Sequence, residues 1–171
     1  MKKVLVGCML ALSVAVSATA AEEVRWPVWF SWGGDQKQNL DIVGLRMSVG
    51  GRSEQVTGID LGIIGRSRYF YGMQFNLLRC DVEDDLAGWQ FSLYNSVGMG
   101  HALGLQTGLW NESQTTFCGL QVGLINVTSY AQGFQIGLIN RAEDLYGFQV
   151  GLVNVIRNSP VPFFPIINIG F

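Results

Sequence analysis

The side chains that could do chemistry are few in this sequence and lie far apart. His101 is the only histidine among the 171 residues, so neither a histidine-based triad nor a multi-histidine metal site can be assembled. The acidic run from Asp81 to Asp85 lacks the glycine and the ligand spacing of a calcium-binding loop. A solvated turn is the expected role of that run, and a weak divalent-ion site is the alternative. We expect no enzyme active site, no metal site and no cofactor.

The most regular polar feature is a glutamine that recurs every 14 to 16 residues. It lies inside a unit of the form GxQxGLxN, as in GLQVGLIN at residues 119–126. Two earlier and degenerate units carry Arg46 and Asp60 at the central position instead. Amides at a constant spacing predict a ladder of side-chain hydrogen bonds rather than a set of ligands. The row consists of Gln74, Gln90, Gln106, Gln121, Gln135 and Gln149.

Each unit alternates with a period of two residues. In the unit at 147–154, Phe148, Val150 and Leu152 fall on one side, whereas Gln149 lies between two glycines on the other. This alternation is typical of a β-strand and not of a helix. Polar or turn-forming segments separate the units, so the sequence predicts an all-β domain of repeated short strands.

The amino terminus has the pattern of a secretory signal peptide. Two lysines precede an apolar stretch from Val4 to Val16, and Ala18-Thr19-Ala20 follows it. The stretch is shorter than the ~20 residues of a spanning helix, so a retained anchor is the weaker alternative. We predict a signal peptide at residues 1–20 and one domain at 21–171. Without Lys2 and Lys3, the chain has nine basic and 13 acidic residues, and no basic patch for nucleic acid is present.

Units of this form, in a short exported chain that ends in PFFPIINIGF, resemble the bacterial surface-repeat proteins. The resemblance covers residues 44–171, although Arg46 and Asp60 depart from the glutamine of the motif. It implies an exported or surface location and no established activity.

Two architectures are compatible with one strand per unit. In an antiparallel up-and-down meander or small β-barrel, each unit supplies a strand and a hairpin loop, whereas in a β-solenoid each unit is one coil. The glycine and glutamine rows are nearly palindromic, which favours antiparallel neighbours. Apolar strands at 26–32 and 163–171 raise the eight units to an even count of about ten. We therefore expect a barrel, with Phe171 as its outer-membrane assembly signal.

The polarity of the two strand faces then predicts a function. In a barrel, the Phe, Ile and Leu side would contact membrane lipid, and the Gly and Gln side would fill a narrow polar interior. The chain is thus expected to be an outer-membrane or surface protein with a structural, adhesive or narrow-passage role. The alternative is a soluble or surface-attached β-solenoid interaction module, at the cell surface or in the periplasm, with an unidentified protein partner. In that solenoid the apolar row would be buried and glutamine would face water.

Overall fold

Stacked strands make up the part of the chain that the structure describes. A computed structural model describes residues 26–33 and 37–171 of the chain. These residues form no helix, and hence no helix that could cross a membrane. The predicted signal peptide at 1–20 lies outside the described residues. The strands are β1 (Trp26–Trp32), β2 (Lys37–Val82), β3 (Leu86–Phe91), β4 (Tyr94–Val97), β5 (Ala102–Thr107), β6 (Trp110–Val122), β7 (Ile125–Ile136), β8 (Ile139–Ile156) and β9 (Phe163–Gly170).

Each repeat unit forms one coil, and the next unit lies beside it in parallel and in register. Gly104 of β5 is paired with Gly119 of β6, and Gln106 with Gln121. The same alignment of glycine on glycine and glutamine on glutamine continues from β2 to β8. The all-β prediction is confirmed, and the architecture is the alternative one, a β-solenoid of about 8 coils.

The prediction of an antiparallel meander or barrel of about ten strands is therefore wrong. A palindromic row brings like residues together in antiparallel neighbours, but parallel stacking in register does so for every residue of the unit. The strands expected at the two ends do form, as β1 and β9. They lie at opposite ends of the sheet and do not close it. β1 is parallel to β2, and β9 is antiparallel to β8.

A single buried column supplies most of the apolar core. Its members lie four residues before the central residue of each unit, and Trp29 of β1 packs against the end of the column. The rest of the interior is largely polar, which makes hydrogen bonding between coils a condition of folding. The column consists of Ile42, Val56, Phe70, Leu86, Ala102, Phe117, Ala131 and Leu145.

A column of glycines lets the coils approach each other closely. The glycine two residues before the central residue has a positive φ in every unit, for example 144° at Gly119. A Cβ atom built on Gly119 would lie 2.0 Å from the carbonyl oxygen of Gly104 in the preceding coil. Neither the backbone angle nor the space admits a side chain.

Replacing Gly119 with alanine is expected to lower the free energy of unfolding by about 3 kcal/mol or more, because strain and a backbone clash add. The matched control is Gly33→Ala, whose Cβ would lie an ordinary 3.5 Å from the carbonyl oxygen of Val49. That control should change the free energy by less than about 0.5 kcal/mol. Urea unfolding followed by circular dichroism measures both. Equal effects of the two substitutions would contradict the close-approach explanation.

Candidate functional site

The glutamine row lies inside the solenoid as one buried column. In every glutamine after Gln74, the Nε2 atom donates to the Oε1 atom of the glutamine in the preceding coil, at 2.7 to 3.2 Å. The structure therefore brings together all six glutamines singled out from the sequence. Their amides hydrogen bond to one another and leave no open face for a ligand.

A second ladder is formed by the asparagine that ends each of the last five units. The Nδ2 atom of Asn126 donates to Oδ1 of Asn140 at 2.8 Å and to the carbonyl oxygen of Ile136 at 3.0 Å. Sequence reasoning missed this ladder, although the recurrence of asparagine at the last position of the unit was its signal. The asparagines donate towards the carboxyl-terminal end of the stack, whereas the glutamines donate towards the amino-terminal end. The asparagine column consists of Asn95, Asn111, Asn126, Asn140 and Asn154.

The glutamine ladder ends at a buried ion pair in the two degenerate units. Gln74 donates to Oδ2 of Asp60 at 3.0 Å. Arg46 holds the same carboxylate through two bonds, Nε to Oδ1 at 2.9 Å and Nη2 to Oδ2 at 2.6 Å. Ser48 and Asn76 also donate to Asp60, and the side chains of Arg46 and Asp60 are both fully buried. A carboxylate only accepts hydrogen bonds, so it is a suitable terminus for a chain of amide donors.

The protonation of Asp60 follows from these contacts. Burial by itself raises the pKa of the Asp60 carboxyl group. The hydrogen bonds and charge of Arg46, with smaller contributions from Asn76 and Ser48, outweigh burial and leave that pKa below its ordinary value. Asp60 is therefore ionised at neutral pH and is compensated by Arg46 inside the stack.

Cys80 takes the place of asparagine at the first position of the second ladder, where it is paired with Asn95. Burial raises the pKa of its thiol to about 11, so the thiol is neutral and a poor nucleophile at physiological pH. No disulfide joins Cys80 to Cys118.

Of the candidates for metal or acid-base chemistry, His101 and Asp85 lie close together, with Nδ1 3.7 Å from Oδ1, but both side chains are exposed to solvent. Asp84 pairs with Arg68 at 2.6 Å, and Asp85 accepts a hydrogen bond from the backbone N–H of His101 at 2.8 Å. Asp81 pairs with Arg79 at 3.0 Å. Among residues 26–33 and 37–171, no group of three or more His, Cys, Asp or Glu side chains is placed to hold a metal ion.

The outer side of the same strands carries the apolar face, which we define as the positions one before, one after and three after each central residue. Phe134, Ile136 and Leu138, which surround Gln135, are 52%, 43% and 48% exposed. The expectation that a solenoid would bury this row and expose glutamine is wrong, because the amide ladders occupy the interior. The face consists of Leu45, Met47, Val49, Ile59, Leu61, Ile63, Met73, Phe75, Leu77, Trp89, Phe91, Leu93, Leu105, Thr107, Leu109, Leu120, Val122, Leu124, Phe134, Ile136, Leu138, Phe148, Val150 and Leu152.

Phe171 follows β9 at the end of the chain and is 96% exposed. It makes no contribution to the buried columns. Its role as an assembly signal stays a prediction from the sequence.

Replacing Gln121 with leucine is expected to lower the free energy of unfolding by about 3 kcal/mol or more, because Oε1 of Gln106 loses its donor and Gln135 loses an acceptor. The control is Gln114→Leu, since Gln114 is exposed and makes only a 3.5 Å contact with Glu112. Thermal and urea unfolding measure the pair. A Gln121→Leu protein as stable as the control would show that the ladder is energetically neutral.

Substituting glutamine for Arg46 and Asp60 would give these two units the central residue of the other six. Arg46→Gln and Asp60→Gln should each cost about 3 to 5 kcal/mol, because each leaves a buried charge unpaired. The double variant extends the glutamine column and should recover most of that loss. Because the pKa of Asp60 is lowered on folding, its contribution is complete above the ordinary carboxyl pKa of about 3.9 and is lost as pH falls below it.

Acid titrations of stability should therefore be flatter below about pH 4 for the double variant than for the natural chain. Additive losses in the double variant would mean that the pair is not equivalent to a rung of the ladder.

Comparison with known proteins identified no significant match. No protein-family model matches the chain, and no curated protein or solved structure is significantly similar to it. The residues of this chain alone therefore carry the assignment of its function.

Proposed function

We propose that this chain is an exported β-solenoid interaction module that binds its partner through the apolar face and catalyses no reaction. One observation carries the proposal: 23 of the 24 positions of the face are apolar, Thr107 is the exception, and none is charged. The face continues onto the end strands. Phe30 of β1 stands beside Met47, and Ile169 of β9 stands beside Phe148.

The size of the face supports a binding role. The eight coils and the two end strands form ten layers, which span about 43 Å at ~4.8 Å between neighbours. Four residue steps plus side-chain width give about 17 Å across, so the face covers roughly 700–800 Å². The largest apolar patch of an ordinary monomer is about 300–600 Å². An apolar surface that exceeds this range and contains no charge is typical of a contact surface.

The charged residues lie elsewhere and join the coils to one another. Arg68 bridges Glu54 at 3.0 Å and Asp84 at 2.6 Å, so one side chain links three coils. Arg52 pairs with Glu83 in the same region of the surface. The molecule is thus amphipathic, with a hydrated side that favours solubility and an apolar side available to a partner.

The location proposed is the cell surface or the outer membrane, with the periplasm as the alternative. The signal-peptide pattern at 1–20 and the resemblance to surface-repeat proteins both support export. Membrane lipid is the second candidate partner, because Tyr94 and Trp110 border the face on one side and Tyr146 on the other. Tyrosine and tryptophan are enriched where proteins meet the membrane interface.

Site-specific photo-crosslinking in intact cells tests the module. Phe134 on the face and Tyr130 outside it are matched, at 52% and 51% exposed. With p-benzoylphenylalanine at each position in turn, we expect crosslinked products from position 134 and few or none from position 130. Equal yields at the two positions, or none from position 134, would contradict a role for the apolar face.

A further inference from the structure

We infer that the occupant of the apolar face is a second copy of this chain, packed face to face about a twofold axis. The inference rests on the proposed function, because it takes the face to be a contact surface. It goes further by naming the partner.

The area of the face matches what a stable dimer needs. A specific protein interface buries about 800 Å² on each partner, and roughly 700–800 Å² of apolar face is available here. Homodimer interfaces are more apolar than other interfaces and are depleted of charge at their centre. In a twofold-symmetric dimer the same surface of both subunits forms the interface, so an uncharged face would bury no unpaired charge.

The geometry of the face also suits a second sheet. Two sheets pack about 10 Å apart when apolar side chains from both fill the space between them. Aromatic side chains lie in both halves of the face. Phe75 and Trp89 make an edge-to-face contact with centroids 5.1 Å apart, and Phe134 stacks on Phe148 at 5.5 Å. Such aromatic clusters are typical anchors of protein interfaces.

The charge distribution favours a second copy over a lipid surface. Residues 41–171 contain seven arginines and ten carboxylates, so the chain gains no net attraction to anionic headgroups. Arg46, Arg52 and Arg79 are already engaged by carboxylates, as are Arg68 and Arg157. A bilayer would thus offer only the apolar contribution, whereas a second copy adds packing between two ordered sheets.

Two valines of adjoining strands allow a matched test. Val122 lies near the centre of the apolar face, and Val127 points outwards from the sheet that carries Glu112 and Arg141. Both are half-buried, and each follows a buried amide residue, Gln121 or Asn126. In analytical ultracentrifugation at micromolar concentration, we expect dimers for the natural chain and for Val127→Lys.

For Val122→Lys we expect the dimer dissociation constant to rise by at least about 100-fold, because the twofold axis buries the lysine charge twice. Ile136→Lys, at another exposed position of the face, provides a second variant should Val122→Lys fail to fold by circular dichroism.

Four results would overturn the inference, and they separate it from the proposed function. A natural chain that stays monomeric at ~100 µM, or a Val122→Lys dimer as tight as the natural one, removes the second copy as occupant. If the monomer instead floats with phosphatidylcholine vesicles and Val122→Lys does not, lipid is the occupant and the interaction module stands. A monomer that does not bind vesicles and gives no crosslinks from position 134 would contradict both the dimer and the interaction module.

Discussion

A buried primary amide must find both an acceptor for its N–H groups and a donor for its oxygen, and this requirement governs the fold. Leaving one such group unpaired costs about 1–3 kcal/mol. Stacking similar units in register places Gln121 between Gln106 and Gln135, so its amide donates to Gln106 and accepts from Gln135 and Thr128. The glycine column serves the same end, because a Cβ atom at Gly119 would hold the coils apart and break the ladders.

A directional ladder has two different ends, which explains the units that depart from the consensus. The glutamines all donate towards the amino terminus. Gln74 lies at that end of the row, so it requires an acceptor that has no hydrogen to donate further. Asp60 is such a group, and Arg46 only donates, to Asp60 and to the carbonyl oxygen of Arg66. The two irregular units therefore work as a terminus of the array, as terminal repeats do in other solenoids. At the opposite end, β9 places Asn168 beside Gln149, but the Oε1 atom of Gln149 and the Nδ2 atom of Asn168 are buried without a hydrogen-bond partner in the described part of the chain.

The sequence predicted the strands and the hydrogen-bonded glutamine row, because alternation and spacing are local properties. It did not predict the direction of the neighbouring strand, since the glycines on both sides of Gln121 fit parallel and antiparallel stacking equally well. Asn126 breaks that symmetry. It lies five residues after Gln121, whereas Thr116 lies five residues before, and only parallel stacking aligns every asparagine with another.

The inside and the outside of the coils were harder to assign, because polar burial in a ladder is a collective property. One buried glutamine is unfavourable, and the usual rule that apolar residues lie inside would then hold. The column becomes favourable only when each amide has a neighbour above and below it, which no single unit reveals. Because the glutamines lie inside, the apolar side chains that alternate with them lie on the outside and form the apolar face.

Scaffold and contact surface thus occupy alternate residues of the same strands. The inner position is glutamine in six units, whereas the outer position before it is Leu, Ile, Met, Trp or Phe in different units. A core residue is limited by the space around it, but the outer position varies in shape and keeps only its apolar character. Such variation is expected where the surface must remain apolar for a partner and is not required by the ladder beneath it.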